Sequence, residues 1–295
     1  MSTFICVGKK RVISYYLLVI YFVISVFMWT YLWQNFLIDS KIRSYIADKT
    51  GDLYKKLACE ALIEIWPGKW SITKLIHQIS NNFMVIEKDE QLIQNLEFKD
   101  QNWELNVKQI IGKDVLEVDV EKILKEKKIK TENTLIVWNL PYYITSPILR
   151  KFFANWSPKF PWWIFMLQNE VWEKIRFDAK KKSYLWWLLN YWYDVTYLKL
   201  VPAKAFKPAP KVKSCLVQLT MKTTLASYGT TENPTIKRES LVSFLDFYSG
   251  FSRKTLWAIQ KILTKQGKIL FQIPEKLEKK RLEELDREDL REILN

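Results

Sequence analysis

Residues 134–153 constrain the fold of this chain more than any other stretch. From Thr134 they read T-L-I-V-W-N-L-P-Y-Y-I-T-S-P-I-L-R-K-F-F. Leu135-Ile136-Val137 is a short apolar, β-branched run, the pattern of a strand buried on both faces. Asn139-Leu140-Pro141-Tyr142 follows as a polar and aromatic turn at the strand's carboxyl end. Ser146-Pro147 then opens a helix, with Ser146 as N-cap and Pro147 at the first helical position. In open α/β sheets ligands bind just beyond the carboxyl ends of the strands. An amide, a prolyl carbonyl and a tyrosine ring therefore project where chemistry is usually done, and Asn139, Leu140, Pro141 and Tyr142 are the candidate catalytic residues. An ordinary strand–turn–helix corner, with Asn and Pro present only as turn formers, has the same pattern.

The rest of the chain alternates in the same manner. A helix runs from about Ser40 to Lys49 and ends at Gly51. Ala61–Ile65 is a buried strand, and Glu64 to Trp70 includes the loop after it. Ser71 caps a helix over Ile72–Ile79. Phe83–Ile86 is a second strand closed by Glu87, Asp89–Leu96 is helical, and Val107–Ile111 is a third strand closed by Asp114. Beyond the Asn139 corner come a helix at Pro147–Asn155 and a strand at Ile164–Leu167. Helices follow over Asn169–Phe177 and Tyr184–Tyr193, then strands at Tyr197–Val201 and Cys215–Met221. Alternation at this spacing predicts an α/β fold with a mainly parallel sheet. From about Lys222 the character changes: Thr223–Pro234 is a polar linker, and the remainder is helical.

Charge narrows the partners. The formal net charge is +14 and the pI about 9.4, a field that favours polyanions, nucleic acid first and an anionic membrane surface second. Cys6, Cys59 and Cys215 lack paired spacing, which speaks against a disulfide framework and fits a reducing compartment. With one histidine, His77, and no cysteine cluster, no metal site is expected. Lys9-Lys10-Arg11 precedes an uncharged apolar run, Val12 to Trp29, of marginal membrane-spanning length. That flank would hold its own side in the cytoplasm and export everything after it. The preferred reading is instead that the true start is Met28 and that residues 1–27 are translated upstream DNA.

One count is unusual. The chain has 7 glycines and 14 tryptophans, whereas glycine alone averages about 7% of residues. The two together, 7 + 14 = 21 of 295, come to about that share.

Eight short motifs, in order, carry a resemblance. They are Q-N-F-L (34–37), E-I-x-P-G (64–68), the strand-end acid in V-I-E-K-D (85–89), Asp114, N-L-P-Y (139–142), F-M-L-Q-N-E-V (165–171), F-x-P-x-P-K-V-x-S (206–214) and S-R-K-T-L (252–256). Together they closely resemble the bacterial small-subunit rRNA adenine dimethyltransferases, the KsgA family, from about Tyr31 to the C-terminus. The resemblance implies a Rossmann-like class I methyltransferase domain over 29–222 and a small all-helical RNA-binding domain over 223–295, with an apolar extension over 1–28. It implies transfer of methyl groups from S-adenosylmethionine to N6 of two adjacent adenines near the 3′ end of small-subunit rRNA, within an immature subunit, by a cytoplasmic monomer that uses no metal and no membrane. It puts Asn35 and Leu37 on the cofactor, Glu64, Trp66 and Gly68 in the loop under its methionine part, Glu87 on the ribose hydroxyls and Asp114 on the adenine amine. Asn139 would lie between cofactor and target base, with Tyr142 stacking on that base. Phe206 is the candidate for the base's opposite face, and Arg253 and Lys254 for phosphate contacts. Neighbouring functions in the same frame are a non-catalytic ribosome-assembly factor and the large-subunit methyltransferase of the macrolide-resistance type.

The chain departs from the family at Trp33, Trp66, Trp70 and Trp138, where small residues, chiefly glycine, are expected. Two readings follow. The tryptophans are real and the protein is a dead or repurposed relative; or a codon is misassigned, since UGA is read as tryptophan in some genetic codes and as glycine in others. Composition and positions favour the second.

Overall fold

In the computed structural model of the chain, residues 35–99, 110–139, 149–150, 153–154, 159–222, 236–251, 253–268 and 271–295 are described. The expectations for residues 1–34, for Leu140, Pro141 and Tyr142, for the Ser146–Pro147 helix start and for the 223–234 linker fall outside them.

Strands β1 (Phe36–Leu37), β2 (Ala61–Ile65), β3 (Phe83–Ile86), β4 (Ile110–Ile111), β5 (Thr134–Asn139), β6 (Trp162–Gln168), β7 (Tyr193–Val201), β8 (Phe206–Lys207) and β9 (Ser214–Met221) form two sheets. The large one has the order β4-β3-β2-β5-β6-β9-β7. The first five strands in that order are parallel; β9 runs antiparallel to both β6 and β7. β1 and β8 make a separate antiparallel pair. The prediction of a mainly parallel sheet holds for the half that carries the candidate site.

The central strands are buried on both faces because their alternate side chains feed two apolar layers. Ile63, Ile65, Ile136, Trp138 and Phe165 point into one. Leu62, Val85, Leu135, Val137 and Met166 point into the other. The second layer is covered by α1 (Ser40–Lys56) and by α2 (Thr73–Ile76) with the loop before it. The first is covered by α4 (Val120–Glu126), α5 (Asn169–Ile175) and α6 (Tyr184–Trp192), and it continues into α7 (Arg238–Tyr248), α8 (Leu256–Lys265) and α9 (Arg287–Leu294). α3 (Glu90–Lys99) follows β3.

Three local expectations are corrected. Gly51 does not end α1, which runs on to Lys56. The Thr50 hydroxyl there donates to the Ile46 carbonyl from a fully buried position, and packing of that turn against the sheet outweighs the glycine's weak helix preference. Ser71 does not cap the next helix. α2 starts after Ile72 without a side-chain cap and passes into a 3-10 turn over His77–Ile79. Asn139 is the last residue of β5, paired with Met166, rather than the first of a turn.

Candidate functional site

The parallel register sets the site. Ile65 pairs with Ile86 on one side and with Trp138 on the other, and Ile86 pairs with Ile111. One residue further along, Trp66, Glu87 and Asn139 stand side by side at the carboxyl edge of the sheet. The ladder continues through them: the Trp66 N–H donates to the Ile86 carbonyl at 3.0 Å, and the Glu87 N–H to the Ile111 carbonyl at 3.1 Å.

Each acid at this edge has a distinct environment. Glu64 alternates with Ile63 and Ile65, so its carboxyl points to the α1–α2 face, where it is 2% exposed. Burial pushes its pKa up to about 8; the Thr73 hydroxyl beside it opposes that, and the nearby Glu87 adds to it. Its Oε2 has no hydrogen-bond partner among the described residues. Glu87 is also buried, and burial raises its pKa. The N–H groups of Asp89, Lys88 and Gly68 pull the other way by donating to its carboxylate. The first two reach Oε1 at 3.0 and 2.9 Å. Glu87 thus ties the loop after β2 to the end of β3. Asp114 accepts from the Leu116 N–H at 3.0 Å and from Lys88 Nζ at 3.3 Å.

The loop from β2 to α2 has the least ordinary backbone among the described residues. Trp66, Gly68 and Trp70 have φ of 54°, 59° and 60°. Every second residue is left-handed, a conformation that costs a residue with a Cβ about 1–2 kcal/mol and glycine almost nothing. A Cβ at Gly68 would meet the Phe36 ring of β1 at van der Waals distance, and Lys69 Nζ sits 4.2 Å above that ring. The Trp66 indole packs edge-on against Trp138 with centroids 5.4 Å apart. The Trp70 indole is buried and donates to the Leu92 carbonyl at 2.9 Å.

Of the residues singled out from sequence, Glu64, Trp66, Gly68, Glu87, Asp114 and Asn139 come together at this edge. Asn35 is beside it, with Nδ2 donating to the Pro208 carbonyl at 2.7 Å. Leu37 is buried and pairs with Phe206. Phe206 is 3% exposed inside the α1-side layer, beside its β1 partner Leu37. Arg253 and Lys254 are exposed on a turn that leads into α8, away from the loop cluster in sequence and not inside a helix. Sequence reasoning passed over Thr73 and Lys88. Thr73 had no motif to mark it; Lys88 lies within the V-I-E-K-D stretch, next to the acid that was chosen.

A mainly parallel, doubly covered sheet with acids and an amide at successive carboxyl ends defines the Rossmann-like class I methyltransferase fold. Two solved structures align over 88% of the chain: a dimethyladenosine transferase from Plasmodium falciparum, with TM-score 0.57 and 20% identity over 95% of its own length, and the 23S rRNA methyltransferase ErmE, with TM-score 0.52 and 17% identity over 98%. Residues 30–232 match the model of the ribosomal RNA adenine dimethylase family, and the chain belongs to that family. Similar relatives are the ribosomal RNA small subunit methyltransferase A proteins of Listeria innocua, 35% identical over 63% of this chain, and of Streptococcus thermophilus, 34% identical over 76%. The match spans 62% of the Listeria protein's length and 73% of the Streptococcus protein's.

Proposed function

We propose that this chain methylates N6 of adjacent adenines near the 3′ end of small-subunit rRNA, with S-adenosylmethionine as donor, during assembly of the subunit. The observation that carries the reading is the row of Glu64, Glu87, Asp114 and Asn139 at the carboxyl ends of β2 to β5, in a member of this family. Acids in this position suit a nucleoside-bearing ligand, since strand-end carboxylates accept from ribose hydroxyls and base amines.

The loop does not fit the donor as the chain is written. Trp66 stands between Glu87 and Asn139, and its indole leans on Trp138 across the ends of β2 and β5. A ligand that joined Glu87 to Asn139 would have to displace that ring. The role of the chain's own residues toward the acceptor does not depend on the loop. An exocyclic adenine amine is a weak nucleophile because its lone pair is delocalised into the ring; it needs holding more than it needs a base. The Asn139 carboxamide oxygen can accept one of its N–H groups, and a backbone carbonyl at Leu140 or Pro141 the other, which aims the lone pair outward. Tyr142 supplies a ring for a base that has left its helix. Arg253, Lys254 and residues 223–295 serve the RNA backbone, and the net charge of +14 supplies the attraction. The reaction belongs where ribosomes are assembled, in the cytoplasm, and the protein works on the immature subunit as a monomer.

The test is transfer of labelled methyl from S-adenosylmethionine to small subunits that lack the modification, followed by mapping of the methylated residues, with protein isolated from its own cells. Two adjacent dimethylated adenines are the expected result, abolished by Asn139→Ala. Tight binding to immature subunits with no transfer would replace this reading with that of a non-catalytic assembly factor, which the Trp66 ring favours. Label in large-subunit rRNA would point to the macrolide-resistance type.

A further inference from the structure

The loop after β2 carries information that its residue names contradict. Trp66, Gly68 and Trp70 share one backbone conformation, with φ values within a few degrees of one another. The middle residue is glycine, the type that adopts this conformation freely; the outer two are the bulkiest type there is. Two other residues that are not glycine also have positive φ, Ala58 and Lys128. Each immediately follows the residue that caps a helix, Leu57 after α1 and Lys127 after α4, where a left-handed residue is a common way to end the helix. Trp66 and Trp70 have no such reason, since they lie between a strand and a helix. The other tryptophans among the described residues lie outside the left-handed region. The chain as a whole is short of glycine and rich in tryptophan, 7 against 14.

We propose that positions 66 and 70 are glycine in the protein its own cell makes, and that tryptophan is written there because a UGA codon is read under the wrong code. The assignment is by conformation and is confined to these two positions; it does not extend to every tryptophan. Its functional part rests on the reading of the site given above. With glycine at 66, no side chain stands between Glu87 and Asn139, and the carboxyl edge of β2, β3 and β5 opens to a nucleoside-bearing ligand. With glycine at 70, the indole seated against the Leu92 carbonyl of α3 is gone, and the loop backbone closes on that space. The Gly68 N–H, already on Glu87, becomes the centre of a loop made of small residues.

The deciding measurement is peptide mass on protein isolated from its native cells. Trypsin cuts after Lys56, Lys69 and Lys74, so Leu57–Lys69 reports position 66 alone and residues 70–74 report position 70 alone. Glycine masses at both positions are expected. A tryptophan mass at either overturns the inference, whatever the protein does. A second measurement tests the functional part: S-adenosylmethionine titrated calorimetrically into the chain as written, into Trp66→Gly, and into Trp66→Gly with Trp70→Gly. At least a ten-fold gain in affinity for the folded double variant, or for Trp66→Gly alone if the double variant does not fold, is expected. Glycine masses without any gain leave the residue assignment standing and sink the methyl-donor reading. Tight binding by the chain as written shows that Trp66 blocks nothing and overturns the opening argued above.

Discussion

At the scale of single residues, Glu64 is the group whose chemistry is most altered by its place. An acid whose folded pKa is about 8 and whose ordinary value is 4.5 binds its proton more tightly in the folded state. Between those two values the folded chain holds more protons than the unfolded one, so stability falls as pH rises through the window. Glu87, raised in the same direction, adds to the fall. Glu64→Gln keeps the shape and removes the titration. We expect the variant to match the original near pH 5 and to exceed it by roughly a few kcal/mol near pH 8, the direct consequence of a shift of this size. Thermal midpoints across pH 5 to 8 check it; parallel profiles for the two proteins would show that the Glu64 proton is not linked to folding. The motif E-I-x-P-G marked Glu64 from sequence alone, but nothing in the motif said that burial raises its pKa. That depends on the covering face, against the opposing Thr73 hydroxyl, and only the folded chain brings both to it.

At the scale of an element, α6 is the clearest case of tertiary structure finishing what sequence began. All nine residues from Tyr184 to Trp192 are buried, so the helix shows no polar stripe, and an apolar run of this kind can equally be a strand. Its one carboxamide side chain ties it to α5. Asn190 Nδ2 donates to the Ile175 carbonyl at the end of α5, at 2.8 Å, and back to the Trp186 carbonyl at 3.0 Å. Replacing it by leucine strands the Ile175 carbonyl in an apolar layer. A loss of about 1–3 kcal/mol is expected, visible as a lower urea midpoint with an unchanged slope; a change below a few tenths would mean that water reaches that carbonyl. The 66–70 loop shows the reverse. Its length, its proline and its central glycine were legible, while the left-handed backbone at positions 66 and 70 became visible only in the folded chain.

At the scale of the whole molecule, the helical end is joined to α6 and the residues just before it by a few polar clasps laid over one continuous apolar layer. Arg287 Nη2 donates to the Asn190 and Tyr191 carbonyls, in the last turn of α6, at 3.0 and 2.6 Å. Lys182 Nζ donates to the Leu285 carbonyl at 2.6 Å, and the Trp187 indole to the Leu282 carbonyl at 3.3 Å. A cation at a helix carboxyl terminus satisfies carbonyls that have no partner within the helix. Arg287→Ala should therefore loosen residues 282–294 by about 1–2 kcal/mol. In hydrogen exchange, faster exchange in α9 with unchanged protection in β2 and β5 is the expected pattern; uniform loss would show that the sheet and the helical end open together.

By itself the sequence determined the alternation of strands and helices, the position of β2, β3 and β5, and the acids and amide at their ends. These follow from local periodicity and from where turn residues fall, and both are written in the order of the chain. It also identified the family, because eight short motifs in register need no contacts to be recognised. Only the tertiary structure decided that α1 runs through Gly51, that Phe206 is buried beside β1, and that β9 and β7 close the sheet antiparallel. It alone showed that burial raises the Glu64 pKa and that the backbone at 66 and 70 is left-handed. The reason is common to all of these: each is fixed by atoms distant in sequence, through burial, a hydrogen bond or a strand partner, and no pattern of neighbours along the chain encodes them.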